Sequence, residues 1–159
     1  MSVAATLWVY VVTPFAAWLV AGVLKFAINS LRAGRLAFGQ IGYGGLPSNH
    51  SAIVASMVSL IGLREGITQP AFGVALTLAF IVVLDAASLR RQIGRQAEAI
   101  NRLRDDLRDH LPAGEQGAAL RAGPSSGRLR ERMGHTRLEI AAGLVTGFVV
   151  ALLVNRFLG

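Results

Sequence analysis

The residues best suited to chemistry in this 159-residue chain are two histidines, His50 and His135. His50 follows Ser48 and Asn49, directly before an apolar run that predicts a helix. We expect these three residues at the helix N-terminus, where free N–H groups and the macrodipole favour a negatively charged ligand. An imidazole can exchange a proton near neutral pH and can also attack phosphorus. The pattern therefore favours an anion site, although an ordinary N-cap with a surface histidine is the simpler alternative.

A carboxylate follows the second histidine at helical spacing. His135 and Glu139 are four residues apart, so both side chains can share one helix face and the acid could orient the imidazole. Residues 136–139 also fit a capping box, in which Glu139 accepts a hydrogen bond from the start of its own helix. The sequence alone leaves both alternatives open.

Further charged side chains border the other apolar segments and could complete the site: Lys25, Asp85, Arg90 and Arg91. Cations can hold phosphoryl oxygens while one histidine attacks phosphorus and the other protonates the leaving oxygen. Alternatively, the cations are cytoplasmic anchors and Asp85 pairs with an arginine. Since a hard cation takes several oxygen ligands and only two acids are nearby, we expect no metal and no other cofactor.

Composition identifies a membrane protein. Hydrophobic residues make up 53% of the chain and the mean hydropathy is +0.51, which is too apolar for an ordinary soluble domain. The absence of cysteine excludes disulfides and a thiol nucleophile. A formal charge of +7 is compatible with nucleic acid, but the arginine-rich segment lacks interleaved aromatics. We expect no nucleic-acid partner, and arginines that face anionic lipid.

Apolar runs predict an all-α integral membrane bundle, a single membrane domain over residues 1–159. The expected spans are about four, at residues 4–24, 49–63, 71–89 and 138–158. The second is short for a full span, so its start is expected below the headgroup level. Apolar residues at helical spacing predict a cytoplasmic amphipathic helix over residues 91–111, followed by a flexible linker over 112–127. Gly143 and Gly147 form a small-xxx-small pair typical of close helix packing.

Topology brings the polar residues together. The positive-inside rule places residues 25–45 and 90–135 in the cytoplasm and both termini outside. Because successive spans alternate in direction, Lys25, His50 and His135 then fall on the same membrane face. This agreement is the main reason to interpret the scattered polar residues as one site on the cytoplasmic side.

Four ordered motifs carry a family resemblance: residues 44–52, Asp85-Ala86 with Arg90-Arg91, residues 96–101, and Gly134-His135-Thr136 with Glu139. Over nearly the whole chain, the sequence resembles the divergent type-2 phosphatidic acid phosphatase family. This is a group of small bacterial membrane proteins related to acid phosphatases and vanadium haloperoxidases. The resemblance implies an all-helical protein of the bacterial cytoplasmic (inner) membrane.

The resemblance also implies roles for individual residues. Lys25 would contact phosphate, His50 would be the general acid, and His135 would be the nucleophile that forms a phosphohistidine. Glu139 stands where the broader superfamily has an aspartate, and it would orient His135. Three departures matter: Asn49 replaces the glycine of a Pro-Ser-Gly-His motif, and Leu129 stands where an arginine precedes the nucleophile by six residues. In the lysine motif, Arg32 follows Lys25 at the expected spacing of seven, but Ala33 replaces the proline after it.

The sequence thus predicts a metal-independent phosphatase that hydrolyses a lipid phosphate, such as phosphatidate or a polyprenyl phosphate or pyrophosphate. Ser48, Asn49, Asp85, Arg90 and Arg91 are expected to bind the substrate beside Lys25. The alternative is a non-catalytic protein that binds or carries anionic lipid in the same pocket, and the missing arginine favours it. The bilayer is the expected partner, and a homodimer could cover lipid-facing surface.

Overall fold

The structure is a computed structural model that describes residues 3–36, 45–110, 128–129, 131 and 134–158. The regular elements of these residues are all helical, which confirms that the protein is all-α. The α-helices of the described residues are α1 (Val3–Ala33), α2 (Asn49–Arg64), α3 (Pro70–Leu84), α4 (Arg90–His110) and α5 (Arg137–Leu158); a π-helical turn, Asp85–Leu89, connects α3 to α4. The predicted linker over residues 112–127 lies outside the described residues.

Within the described part of the chain, three helical stretches are long and apolar enough to cross a membrane: Leu7–Ala33, Pro70–Leu107 and Arg137–Leu158. The chain is therefore a multi-pass membrane protein. Helix α2 is not among these stretches, because its 16 residues extend only about 24 Å whereas the hydrocarbon core is about 30 Å thick. The predicted count of four spans thus depends on α2 alone.

Helix α1 is longer than the predicted first span. It continues past Lys25 to Ala33, so Lys25 lies inside the helix and not at its end. A single lysine does not terminate a helix, because the backbone hydrogen bonds continue beneath it. Termination comes at Gly34, whose positive φ of 62° is the left-handed conformation that follows many helices.

Backbone contacts divide the chain into two compact units. One unit comprises Met1–Ala87 and His135–Gly159, and the other comprises Ser88–Gly134. In the second unit, α4 covers nearly the same residues as the helix predicted over 91–111. The Asn101 side chain is buried there and pairs with the backbone of Leu129, through an N–H···Oδ1 bond of 2.9 Å and an Nδ2–H···O bond of 2.7 Å.

Helix α2 is the centre of the first unit, since it packs against α1, α3 and α5. Its buried positions are mostly small: Ser51, Ala52, Ala55, Ser56, Leu60 and Ile61. Small side chains let helix backbones approach closely, and in a membrane this close packing replaces the hydrophobic driving force that water supplies elsewhere.

The closest helix contact is between α2 and α5, at the glycine pair that the sequence singles out. A Cβ atom on Gly143 would collide with the carbonyl oxygen of Ser48, and one on Gly147 would collide with that of Ala52. The same Gly147 Cβ would lie 2.9 Å from the Cβ of Ala55. The prediction that this pair allows close helix packing is confirmed.

The far ends of α2 and α5 are joined by Arg64. Its Nε donates to Oδ1 of Asn155 (3.0 Å) and its Nη2 donates to the carbonyl oxygen of Leu158 (3.5 Å). The guanidinium carbon also lies 5.9 Å from the ring centroid of Tyr10 on α1. Arg64 is the last residue of α2, one residue beyond the predicted span of 49–63, and these contacts hold its guanidinium against α5 and Tyr10.

Replacing Gly147 by alanine is expected to destabilise the protein by about 1–3 kcal/mol, because the new methyl group has no space. The matched control is Gly73→Ala on α3, where a Cβ meets nothing within 4 Å. The control is expected to be neutral or stabilising by about 0.5–1 kcal/mol, since alanine favours a helix. Thermal unfolding in detergent measures both, and equal shifts in Tm would contradict the close α2–α5 contact.

Candidate active site

Several helix ends meet at one end of the first unit. The N–H of Ser48 donates to the carbonyl oxygen of Glu139 (2.9 Å), so α2 and α5 begin side by side. The N–H of His135 donates to the carbonyl oxygen of Ala86 (3.2 Å), which brings in the end of α3. Lys25 of α1 is close enough to Glu139 for electrostatic attraction. The predicted site residues of these four segments are thus neighbours.

Ser48 caps the start of α2. Its backbone is extended, and its Oγ accepts hydrogen bonds from the N–H (3.4 Å) and the hydroxyl (3.1 Å) of Ser51. Both serines are fully buried. Asn49 and His50 are consequently the first two residues of the helix, as predicted, and the N–H groups of this first turn are suited to an anion.

Glu139 makes the contacts that both of the alternatives require. Its Oε2 accepts from the N–H of Thr136 (2.9 Å), and its own N–H donates to Oγ1 of Thr136 (3.2 Å), which completes the capping box. The same Oε2 lies 3.1 Å from Nδ1 of His135. The two roles are compatible because a carboxylate oxygen has two lone pairs and can accept two hydrogen bonds.

Burial strengthens the contact between His135 and Glu139. The two side chains are only 9% and 17% exposed, so their electrostatic attraction is weakly screened by water. A carboxylate at Nδ1 favours the tautomer that carries its proton there. The other ring nitrogen, Nε2, then holds a lone pair that can act as a nucleophile.

The two histidine rings lie near each other without stacking. Their centroids are 6.3 Å apart and their planes are inclined by 54°. His50 is exposed whereas His135 is buried. Rings at this distance can accommodate a phosphoryl group whose phosphorus lies about 3–3.5 Å from a nitrogen of one ring, and whose leaving oxygen is hydrogen-bonded at about 2.6–3.2 Å to a nitrogen of the other. One phosphoryl group can therefore contact both rings.

Lys25 and Asn49 occupy the side of this site that α1 forms. Lys25 is half-buried. The Nδ2 of Asn49 lies 3.7 Å from the position that a Cβ on Gly22 would take, so its amide packs over a turn of α1. Among the described residues, none donates a hydrogen bond to the buried Oδ1 of Asn49.

The remaining predicted residues follow α3. Asp85 is half-buried and begins the π-helical turn, one residue before the carbonyl group that holds His135. Arg90 and Arg91 begin α4 in the other unit, and their side chains are outside the described part of the structure. Among the described residues, no three histidines or acids are grouped so that they could hold a metal ion.

Sequence reasoning missed the contact between Ala86 and His135. This hydrogen bond joins two backbone groups, so no side-chain type marks it in the sequence. It also missed the amide of Asn101, although residues 96–101 belong to the family resemblance. A lone asparagine within the apolar stripe of an amphipathic helix was the available signal.

Comparison with known proteins agrees with the resemblance seen in the motifs. A family model described as the Divergent PAP2 family matches residues 8–150, which include both candidate histidines. The chain is also 29% identical over 143 residues to the uncharacterized membrane protein YuiD of Bacillus subtilis (strain 168), covering 89% of this chain and 90% of that protein. No solved structure matches the chain significantly.

Proposed function

This chain belongs to the Divergent PAP2 family, and from that membership and the geometry of His50, His135 and Glu139 we propose that it is a membrane lipid-phosphate phosphatase. The observation that carries the proposal is the pair of imidazole rings 6.3 Å apart, one of them held at Nδ1 by a carboxylate. In the proposed reaction, one ring provides the nucleophile and the other provides the proton donor for the same phosphoryl group.

In the first step, the Nε2 lone pair of His135 attacks phosphorus. The bond between phosphorus and the ester oxygen breaks, and that oxygen takes a proton from the imidazolium of His50. The products are a phosphohistidine at His135, a lipid alcohol and a neutral His50. Glu139 stabilises the positive charge that develops on the His135 ring, because its carboxylate accepts the Nδ1 proton in a hydrogen bond.

In the second step, water attacks the phosphohistidine. His50 accepts a proton from this water as the new P–O bond forms and the P–N bond breaks. Inorganic phosphate leaves, and both histidines return to their starting protonation states. From a phosphate monoester, the net reaction consumes one water and yields one alcohol and one phosphate. From a pyrophosphate, the leaving group is a lipid monophosphate in place of the alcohol. The proposed chemistry needs no metal ion.

Lys25 and the first turn of α2 are proposed to hold the phosphoryl oxygens. The Lys25 ammonium offers up to three hydrogen-bond donors, and the N–H groups at Asn49 and His50 add others. Asp85 is proposed to help bind the substrate, and Ser48 contributes through the cap that fixes the first turn. The substrate-binding roles of Arg90 and Arg91 stay predictions from the sequence.

Depth in the membrane supports a lipid substrate. Lys25 is followed by eight more helical residues of α1, about 12 Å of helix, before the chain turns at Gly34. The short α2 likewise begins well inside the bilayer if its far end reaches the opposite surface. A phosphate carried by a membrane-anchored lipid reaches such a depth by lateral diffusion. Phosphatidate, a polyprenyl phosphate and a polyprenyl pyrophosphate all satisfy this requirement.

We further propose four spans, with α2 as a short central one, in the bacterial cytoplasmic membrane. From the charge bias we propose that the site faces the cytoplasm, and the prediction that the amphipathic helix is cytoplasmic rests on the same rule. A homodimer is proposed to cover part of the apolar surface of α3, where Val74, Leu78 and Phe80 are exposed.

A non-catalytic protein that binds anionic lipid is the second candidate. Leu129 favours it, because the superfamily motif has an arginine at this position to stabilise phosphoryl charge. In this chain the position carries an exposed apolar side chain whose backbone is held by Asn101. Phosphate release from a lipid phosphate distinguishes the two candidates, since a binder releases none.

His135→Ala is expected to abolish phosphoenzyme formation and phosphate release from every substrate, because the nucleophile is gone. His50→Ala is expected to slow release from a lipid phosphate by about 10²–10⁴-fold. With an activated aryl phosphate, whose leaving group needs no proton, His50→Ala should still form the phosphohistidine and accumulate it. The measurement is phosphate release and trapped phosphoenzyme, with purified protein in chelator.

The third histidine of the chain supplies the matched control. His110 ends α4 in the other unit, and His110→Ala should retain wild-type rates. If the aryl phosphate restores phosphoenzyme formation in both His50→Ala and His135→Ala, or in neither, the assignment of nucleophile and acid is wrong. If the wild-type protein releases no phosphate from any lipid phosphate, the binding candidate replaces the phosphatase.

Glu139→Gln is expected to preserve stability but slow the chemistry by about 10²–10⁴-fold. A glutamine oxygen still accepts from the N–H of Thr136, whereas the charge opposite the His135 imidazolium is lost. Thr136→Val is expected to do the reverse, losing about 0.5–2 kcal/mol of stability while the rate stays near wild type. Thermal unfolding and phosphate release are measured on both variants. If Thr136→Val releases phosphate slowly, or Glu139→Gln releases it at the wild-type rate, then Glu139 only caps the helix and has no role in the chemistry.

Cysteines introduced singly at Thr68 and Gln116 are expected to react with membrane-impermeant maleimide from opposite sides. The natural chain has no cysteine, so each variant reports one position. In intact cells only the Thr68 variant should be labelled, and permeabilised cells should show both. Labelling of the Gln116 variant in intact cells would place the site on the outer face.

A further inference from the structure

Asn49 contains a buried side-chain oxygen that lacks a donor. Its Oδ1 is inaccessible to solvent, and among the described residues no group donates to it. Buried polar atoms in native proteins are almost always hydrogen-bonded, and exceptions often mark functional positions. This atom lies in the first turn of α2, beside His50 and within the proposed phosphoryl site.

The surroundings of the Asn49 amide point to a donor on α1. The Nδ2 of Asn49 lies 3.7 Å from the position of a Cβ on Gly22, so the amide covers a place where α1 has no side chain. Lys25 is one turn further along the same helix face. Helical side chains lean toward the N-terminus of their helix, so the Lys25 stem extends back over the Gly22 turn. Its ammonium can therefore reach Asn49.

Lys25 also has a competing partner. Its ammonium is attracted to the carboxylate of Glu139, which already accepts from Thr136 and contacts His135. A lysine charge near this carboxylate weakens the field that Glu139 can apply to the His135 ring. The reaction therefore benefits if Lys25 turns away from Glu139 when the substrate is present.

We propose that Asn49 is a positioning residue: its Oδ1 accepts a hydrogen bond from the Lys25 ammonium when a phosphoryl group is bound. The two remaining ammonium protons then face the phosphoryl oxygens, and the Glu139 carboxylate interacts with the His135 ring without competition from Lys25. The inference rests on the proposed phosphoryl site and adds a role for the residue that replaces the motif glycine. A glycine at position 49 would offer no side-chain acceptor.

The test is a double-mutant cycle on the full chain in detergent, with affinity for inorganic phosphate as the measurement. Asn49→Leu keeps the shape of the side chain but removes the acceptor, and Lys25→Met keeps the apolar stem but removes the charge. Asn49→Leu is expected to weaken phosphate binding about tenfold when Lys25 is present and less than about twofold in the Lys25→Met background, because coupled residues are not additive.

Stability separates this role from a structural one. Because the Asn49 oxygen is buried without a donor, Asn49→Leu should leave Tm unchanged or raise it while phosphate affinity falls. Asn155→Ala is the matched control at the opposite end of the bundle. It loses the hydrogen bond to Arg64, so Tm should fall while phosphate affinity stays within about twofold of wild type. Asn49→Ala serves as the second variant should leucine disturb folding.

The outcomes separate this inference from the proposed hydrolysis. Equal losses of affinity in the two Lys25 backgrounds overturn the inference, even when lipid phosphate is hydrolysed. If the effects of Asn49→Leu and Lys25→Met on phosphate affinity are coupled but the protein releases no phosphate from lipid phosphates, the inference is supported and the proposed hydrolysis is wrong. A wild-type chain that binds no phosphate overturns the inference, whatever its activity toward lipid phosphates.

Discussion

The direct contact between the backbones of α2 and α5 is the constraint on which the site depends. Neither Gly143 nor Gly147 can carry a side chain, because the carbonyl groups of Ser48 and Ala52 occupy that space. Only at this separation can the N–H of Ser48 reach the carbonyl oxygen of Glu139. The contact therefore fixes the starts of two helices at one level, and these starts carry both histidines.

Glu139 connects this packing to the chemistry. Its Oε2 accepts a hydrogen bond from the N–H of Thr136 at the start of α5 and also contacts the ring of His135. Its carbonyl oxygen accepts a hydrogen bond from the N–H of Ser48, the residue that caps α2. A residue that is fixed by four such contacts has little freedom to move. Such rigidity is what an orienting carboxylate needs, since a misplaced imidazole loses reaction rate steeply.

Much of the architecture was predictable because apolar length and helical spacing are strong sequence signals. The bounds of α2, α4 and α5 agree with prediction within about two residues, and the closeness of His135 to Glu139 follows from their spacing. The end of α1 was missed, since apolar content marks membrane depth and not helix termination. The contacts of Arg64 with α5 and of Ala86 with His135 depend on tertiary geometry, which no local pattern encodes.

The parallel course of α2 and α5 has an electrostatic consequence. Ser48 meets Glu139 at one end of the pair and Arg64 meets Asn155 at the other, so the two helices point the same way. Side-by-side parallel helices place like poles together, and each N-terminus is equivalent to roughly half a positive elementary charge. Two such poles together approach one positive charge that no titration can remove. Their mutual repulsion opposes the close glycine packing, and a bound anion relieves it, so ligand affinity and helix association reinforce each other.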